Sequence, residues 1–164
     1  MNKLLIALAT VAHLIPQPFG VSSIGATALY AGAYGPKRTS WAIPLIPLFI
    51  GSLVFGFYDL TVMAFVFGGF ALSTFAGRWF LARERNYSRY GAAVAVGATI
   101  FFLVSNFSIW LVGMYPPTLA GFVQCYINGL PFLGQAMLAD SAYCFVLFGL
   151  HVWIERRQTA AALA

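Results

Sequence analysis

Charged residues are scarce in this sequence: they make up 8% of the chain against 61% hydrophobic, and only four are acidic. A soluble domain carries roughly a quarter charged residues, so the deficit excludes an ordinary water-facing globule and points to lipid as solvent. Cysteine is nearly absent too. Cys125 and Cys144 make no CxxC metal pair and no disulfide framework, and they read as small apolar packers. There is no HExxH, GxSxG or phosphate-loop motif, and no Ser/Lys or Cys/His pair at a workable spacing. The chain is therefore not read as an enzyme, and neither a cofactor nor a metal is expected. An Asp59–Asp140 carboxylate dyad is the one catalytic alternative. Internal repeats and low-complexity tracts are also missing.

What is present is a mean hydropathy of +0.84 and a net charge of +5. The nine Lys and Arg residues fall into four clusters: Lys3; Lys37 with Arg38; Arg78, Arg83, Arg85 and Arg89; and Arg156 with Arg157. A hairpin's length of apolar sequence separates each cluster from the next, and the turn of each hairpin has no basic residue. Basic loops stay cytoplasmic during insertion, so the pattern predicts both termini inside and an even number of crossings, most simply six. The positive charge thus serves topology and anionic headgroups; no nucleic-acid partner is expected. The expected location is a bacterial inner (cytoplasmic) membrane, crossed several times by one domain spanning residues 1–164. The opening MNKLLIALATVAH resembles a signal peptide, but it is read as a retained first helix because the even topology needs it.

A bilayer core of ~30 Å needs ~20 helical residues. Trp41–Tyr58, Thr61–Ala82, Tyr90–Val112 and Gln135–Ile154 meet or approach that length, and all are apolar all round. Leu4–Leu14 and Ser22–Tyr34 are shorter, and Pro16 and Pro18 between them rule out one straight helix. Two short helices joined by an outer loop satisfy the charge pattern. Pro44 and Pro47 sit at the start of the third helix, where a missing donor matters little. Gly68, Gly69, Gly77, Gly91 and Gly97 are read as sites of close helix packing. After the fifth helix, Pro116 and Pro117 break the backbone, Thr118–Leu130 reads as a short helix, and Gly129 with Pro131 ends it. The fold class is therefore all-α: a polytopic bundle of about six helices with a short outer re-entrant or lid helix, which implies an outer cavity.

That topology puts His13, Gln17, Asp59, Ser105, Asn106, Tyr115, Gln124, Asn128, Gln135 and Asp140 in the outer half. Glu84 and Glu155 fall among arginines on the inner side as interfacial ion pairs. Asp140, about one turn into the last helix, is the most informative: a carboxylate at membrane depth needs a partner, either a ligand or a neighbouring helix. Asn106 can bond across helices or hold a ligand. His13 reads as locally satisfied or as a ligand contact, and Asp59 as a helix cap or a site residue. Two outer carboxylates with no outer Lys or Arg favour a small neutral or cationic solute over an anion. Trp110, Tyr115, Tyr126 and Tyr143 would supply aromatic walls. The predicted ligand-binding set is His13, Asn106, Trp110, Tyr115, Gln124, Asp140 and Tyr143, with His13, Asn106 and Asp140 converging on one outer cavity.

The strings HLIPQPFGVSSIGATALYAGAY, SNFSIWLVGMYPPTLAGFVQCYINGLPF and LADSAYCFVLFG resemble a family of small bacterial membrane proteins carrying a domain of unknown function. That family is similar to the substrate-binding S components of energy-coupling factor (ECF) vitamin transporters. The resemblance covers about residues 10–155. It implies six helices, cytoplasmic ends, a vitamin-like solute held under outer loops 13–22, 57–61 and 113–134, and an energy-coupling membrane subunit as partner. The first helix lacks the AxxxA-type docking patch of S components; the nearest small-xxx-small pair is Ala28–Gly32, on the second. A structural or assembly protein without a ligand is the alternative.

Overall fold

The computed structural model describes residues 3–15, 21–84 and 86–162; Pro16, Gln17, Pro18 and Arg85 lie outside the described residues. Among the described residues the chain is all-α, with six α-helices: α1 (Lys3–Leu14), α2 (Ile24–Tyr34), α3 (Leu45–Phe55), α4 (Leu60–Leu81), α5 (Tyr87–Leu111) and α6 (Leu119–Ala162). Three of them, α4, α5 and α6, are long and apolar enough to cross a membrane. Large apolar side chains face outward, with Phe145 82% and Leu138 74% exposed, as suits a chain whose solvent is lipid.

Helix ends follow local chemistry. Asp59 accepts from the backbone N–H groups of Thr61 (2.9 Å) and Val62 (3.0 Å), so it caps α4. Asn86 accepts from Arg89 N–H at 3.0 Å, which starts α5 three residues earlier than the hydropathy suggested. The stretch expected as one span over Trp41–Tyr58 is a 3-10 turn at Ser40–Ala42 followed by α3. Pro44 immediately precedes α3 and Pro47 lies in its first turn, where their missing donors break no helical bond.

The centre of the bundle is α2, whose residues Ile24–Gly32 are all buried. It runs antiparallel beside α1: Ser23 Oγ donates to the Ala9 carbonyl (2.9 Å), while Leu5 and Tyr30 share one core cluster. Glycine lets α2 touch α4 backbone to backbone. A Cβ at Gly77 would collide with the Leu29 carbonyl, and one at Gly32 with the Thr74 carbonyl. Gly69 and Gly97 also pack tightly, against Phe101 and Leu29, but Gly68 and Gly91 face open space and pack against nothing. The close-packing reading therefore fails at those two positions. Between α4 and α5, Ser73 Oγ donates to the Gly97 carbonyl at 2.8 Å and Phe70 stacks on Phe101 at 4.1 Å.

Among the described residues, Arg78, Arg89 and Arg156 gather at one end. Arg78 reaches the loop after α2, with Nη2 2.7 Å from Ser40 Oγ, and Arg89 pairs with Glu84 at 3.0 Å. Tyr87, at the start of α5, lines the same groove as Arg156 near the end of α6.

The outer lid is a correction. Residues 119–162 form one 44-residue helix that runs through Pro131, instead of a short helix ending at Gly129 and a separate span. Proline removes one intrahelical bond, yet packing holds both sides in place. Phe122 meets Trp110 edge-on at 5.4 Å, Tyr126 Oη donates to the Leu103 carbonyl (2.8 Å), and Gly129 lies against Asn106 and Phe102. The first part of α6 therefore lies along the second half of α5, which shields its backbone, and does not cross over the bundle mouth.

Candidate functional site

A short helix that begins inside a bundle leaves its first N–H groups without intrahelical partners, and at membrane depth no bulk water replaces them. The start of α2 has this problem, and two side chains answer it. Ser22 Oγ accepts from Ile24 N–H at 3.2 Å. Ser23, the residue before the helix, makes no side-chain cap because its hydroxyl is already committed to Ala9 of α1. Asp140 reaches across from α6, and its carboxylate accepts from the Ala26 backbone N–H. The carboxylate also lies so close to Gly25 that a Cβ there would overlap it. A negative side chain at a helix N-terminus is favoured by the helix dipole as well as by hydrogen bonding.

Beside this contact is a small cavity of about 40 Å³, lined by Ser22, Gly25, Phe70, Ser73, Gly97 and Asp140 among others. A void of that size has room for one or a few waters. His13 does not line the cavity but touches one of its lining residues, Ser22. Its Nδ1 makes a long contact, 3.4 Å, with Ser22 Oγ, and its ring rests against Gly51 of α3. The structure thus links Asp140, the end of α2, Ser22 and His13 in one polar string. It also corrects the expected depth of Asp140. That residue sits in the middle of α6, level with Phe70 and Ser73 in the middle of α4, rather than one turn from the outer end.

The other predicted residues lie elsewhere, so the expected three-way convergence does not occur. Asn106 donates to its own helix at Phe102 O (2.9 Å), and its Oδ1 faces Gly129 and Cys125 in the α5–α6 seam. Trp110 Nε1 donates to the Pro116 carbonyl at 3.1 Å. Gln124 donates to Asn128 Oδ1 (2.7 Å), and Asn128 in turn donates to the Tyr115 hydroxyl (3.2 Å). These groups satisfy one another at the tip of the α5–α6 hairpin. Tyr143 packs against the main apolar core. Both cysteines are buried, in keeping with their reading as packers.

A second polar cluster escaped the sequence reading. Tyr30 of α2 and His151 of α6 join at 2.6 Å through Oη and Nδ1, both buried, and Tyr34 stacks on the imidazole at 3.8 Å. On the other side of the ring, Nε2 stands 2.9 Å from Glu155 Oε1. No hydrogen bond joins the two atoms, so the contact is one of proximity. Glu155 therefore faces His151, where an arginine partner was expected; Arg157 instead lies over the Trp153 ring at 4.6 Å. The signal was present in the spacing: His151 and Glu155 lie four apart on one helix, as do Tyr30 and Tyr34. With Asp140, this pair makes α6 grip α2 at two levels.

Among the described residues, no three His, Cys, Asp or Glu side chains gather as a metal site. No curated protein and no solved structure matches the chain. The family comparison covers residues 1–162, almost the whole sequence, and the chain belongs to that family, the family of unknown function DUF6580.

Proposed function

We propose that this chain is a multi-pass inner-membrane protein that binds a small neutral or cationic solute for uptake, with both termini cytoplasmic and Asp140 as the central ligand-binding residue. The observation that carries this reading is a buried carboxylate beside a void, at the middle of the bundle, where α2, α4, α5 and α6 meet. Intramembrane carboxylates are expensive, face the bundle interior and mark solute or ion pathways. Among the described residues no Lys or Arg lines the void, which favours a cation or a neutral hydrogen-bond donor. Such a group would compete with Ala26 N–H for the carboxylate, while Ser22 and His13 stand ready to orient it.

Size refines the substrate class. Sites for drug-sized ligands occupy roughly 300–1,000 Å³, against about 40 Å³ here. A vitamin-like molecule of the kind S components bind would require the α1–α2 hairpin to move away from α6; a small amine or hydrated cation needs far less. An energy-coupling membrane subunit is the partner implied by the S-component likeness. The second reading is structural: Asp140 is already hydrogen-bonded to α2 and can serve as a staple alone.

Mass spectrometry of small molecules released from protein purified in mild detergent tests the reading. A solute that accompanies the wild type and is lost from Asp140→Asn, with the bundle intact, supports binding. A folded wild type that carries no solute, or an equal load on the variant, supports the staple.

A further inference from the structure

An open groove of about 490 Å³ runs between the first part of α5 and the second half of α6, well away from the Asp140 void. Its walls are apolar and include Val94, Cys144, Phe148 and Val152. Gly91 and Gly149 both line it, and a Cβ on either would meet nothing within 4 Å. The groove exists because two side chains are missing from facing helices. Along α6 it extends from Ser141 to Arg156, ~22 Å at 1.5 Å per residue. One leaflet's share of the ~30 Å bilayer core is ~15 Å, so the groove can follow one acyl chain through its leaflet.

Only one end of the groove is charged. Arg156 stands there with Tyr87 and Trp153, the residue types that settle at headgroup level. A second positive charge, Arg157, lies over Trp153. Among the described residues no acidic side chain lines the groove, and the two nearest its charged end in sequence are engaged elsewhere: Glu84 with Arg89 at 3.0 Å and Glu155 with His151 at 2.9 Å. An apolar channel one leaflet deep, with an uncompensated guanidinium at its headgroup end, complements a molecule with a hydrocarbon tail and an anionic head.

We propose that the α5–α6 groove is a binding site for an anionic phospholipid, with an acyl chain laid over Gly91 and Gly149 and its phosphate at Arg156. Guanidinium binds phosphate oxygens through paired, charge-assisted hydrogen bonds. This site is independent of the solute site and of its test.

The experiment is native mass spectrometry of the full chain released from nanodiscs containing equal amounts of phosphatidylglycerol and phosphatidylcholine. The wild type is expected to retain phosphatidylglycerol preferentially. Arg156→Gln should lower the phosphatidylglycerol-to-phosphatidylcholine ratio about fivefold, the factor that corresponds to ~1 kcal/mol for one basic side chain at an anionic surface. Gly149→Leu, which projects into the groove, should strip both lipids, and Gly91→Leu does the same from α5 if the first variant fails to fold. Lys37→Gln, outside the groove, should leave the ratio unchanged. An unchanged ratio in Arg156→Gln, or unchanged lipid retention in the leucine variants, overturns the proposal. So does a dimer that the leucine variants abolish, which would make the groove an interface between two copies.

Discussion

Gly25→Ala adds one methyl group where the structure has no room for it. Its Cβ would overlap the Asp140 carboxylate, which is itself held by Ala26 N–H on the same turn of α2. Both partners sit inside packed helices, so neither can retreat freely, and overpacking of this kind costs ~1–3 kcal/mol. Asp140→Ala removes the clash but leaves the Ala26 donor orphaned at membrane depth, at ~1–3 kcal/mol. In the double variant the alanine methyl occupies space the carboxylate vacated, so the Gly25→Ala penalty should vanish. A double-mutant cycle should therefore show a coupling of ~1–3 kcal/mol, against the ~0.5 kcal/mol within which independent sites add. Chemical denaturation in mixed micelles, read by the far-UV signal and by gel filtration, supplies the four stabilities. Strict additivity would refute the argument that the carboxylate and the first turn of α2 share one crowded contact.

Three other perturbations bear on the same architecture. Tyr30→Phe removes the 2.6 Å bond to His151, and the orphaned buried imidazole should cost ~1–3 kcal/mol in the same denaturation assay; a change under ~0.5 kcal/mol would mean the pair contributes nothing net. Gly77→Ala drives a methyl into the Leu29 carbonyl and should prevent a monodisperse bundle, whereas Gly68→Ala points into open space and should be neutral or stabilising by up to ~1 kcal/mol through helix propensity; equal behaviour of the two would contradict the α2–α4 contact. In a background without Cys125 and Cys144, single cysteines at Lys37, Arg83 and Arg156 should label only from the cytoplasmic side and those at Tyr58 and Met114 only from outside, with any reversal sinking the six-crossing topology.

The basic clusters were legible because charge placement constrains a membrane chain directly, and of their members Arg78 lies at Ser40 and Arg156 near Tyr87. The α4 and α5 spans could be read from their lengths alone, and Asp59 from its position before Thr61 and Val62. Continuity of α6 could not. Locally, Gly129 and Pro131 argue for a stop; what overrides them is contact with Asn106 and Leu103 some twenty residues earlier. The depth of Asp140 was misjudged with it, since a carboxylate's level was counted from a helix start that is not there. Its functional partners followed the same error: Trp110, Tyr115 and Gln124 remain at the hairpin tip. The Tyr30–His151 bond joins residues 121 apart, and only the four-residue spacing of His151 and Glu155 hinted that one face of α6 carried polar work.

The most direct test of the solute-site account is an equilibrium binding titration of the co-purified molecule with protein in nanodiscs, comparing wild type, Asp140→Asn and Asp59→Asn. Asp140 would make a charge-assisted hydrogen bond worth ~1.5–3 kcal/mol, so Asp140→Asn should weaken binding by roughly 10- to 150-fold. Asp59, which caps α4 at a distance, should leave affinity within about twofold. Equal affinity for wild type and Asp140→Asn, in a variant that still folds, would contradict the account and leave Asp140 as the staple that holds α2 to α6.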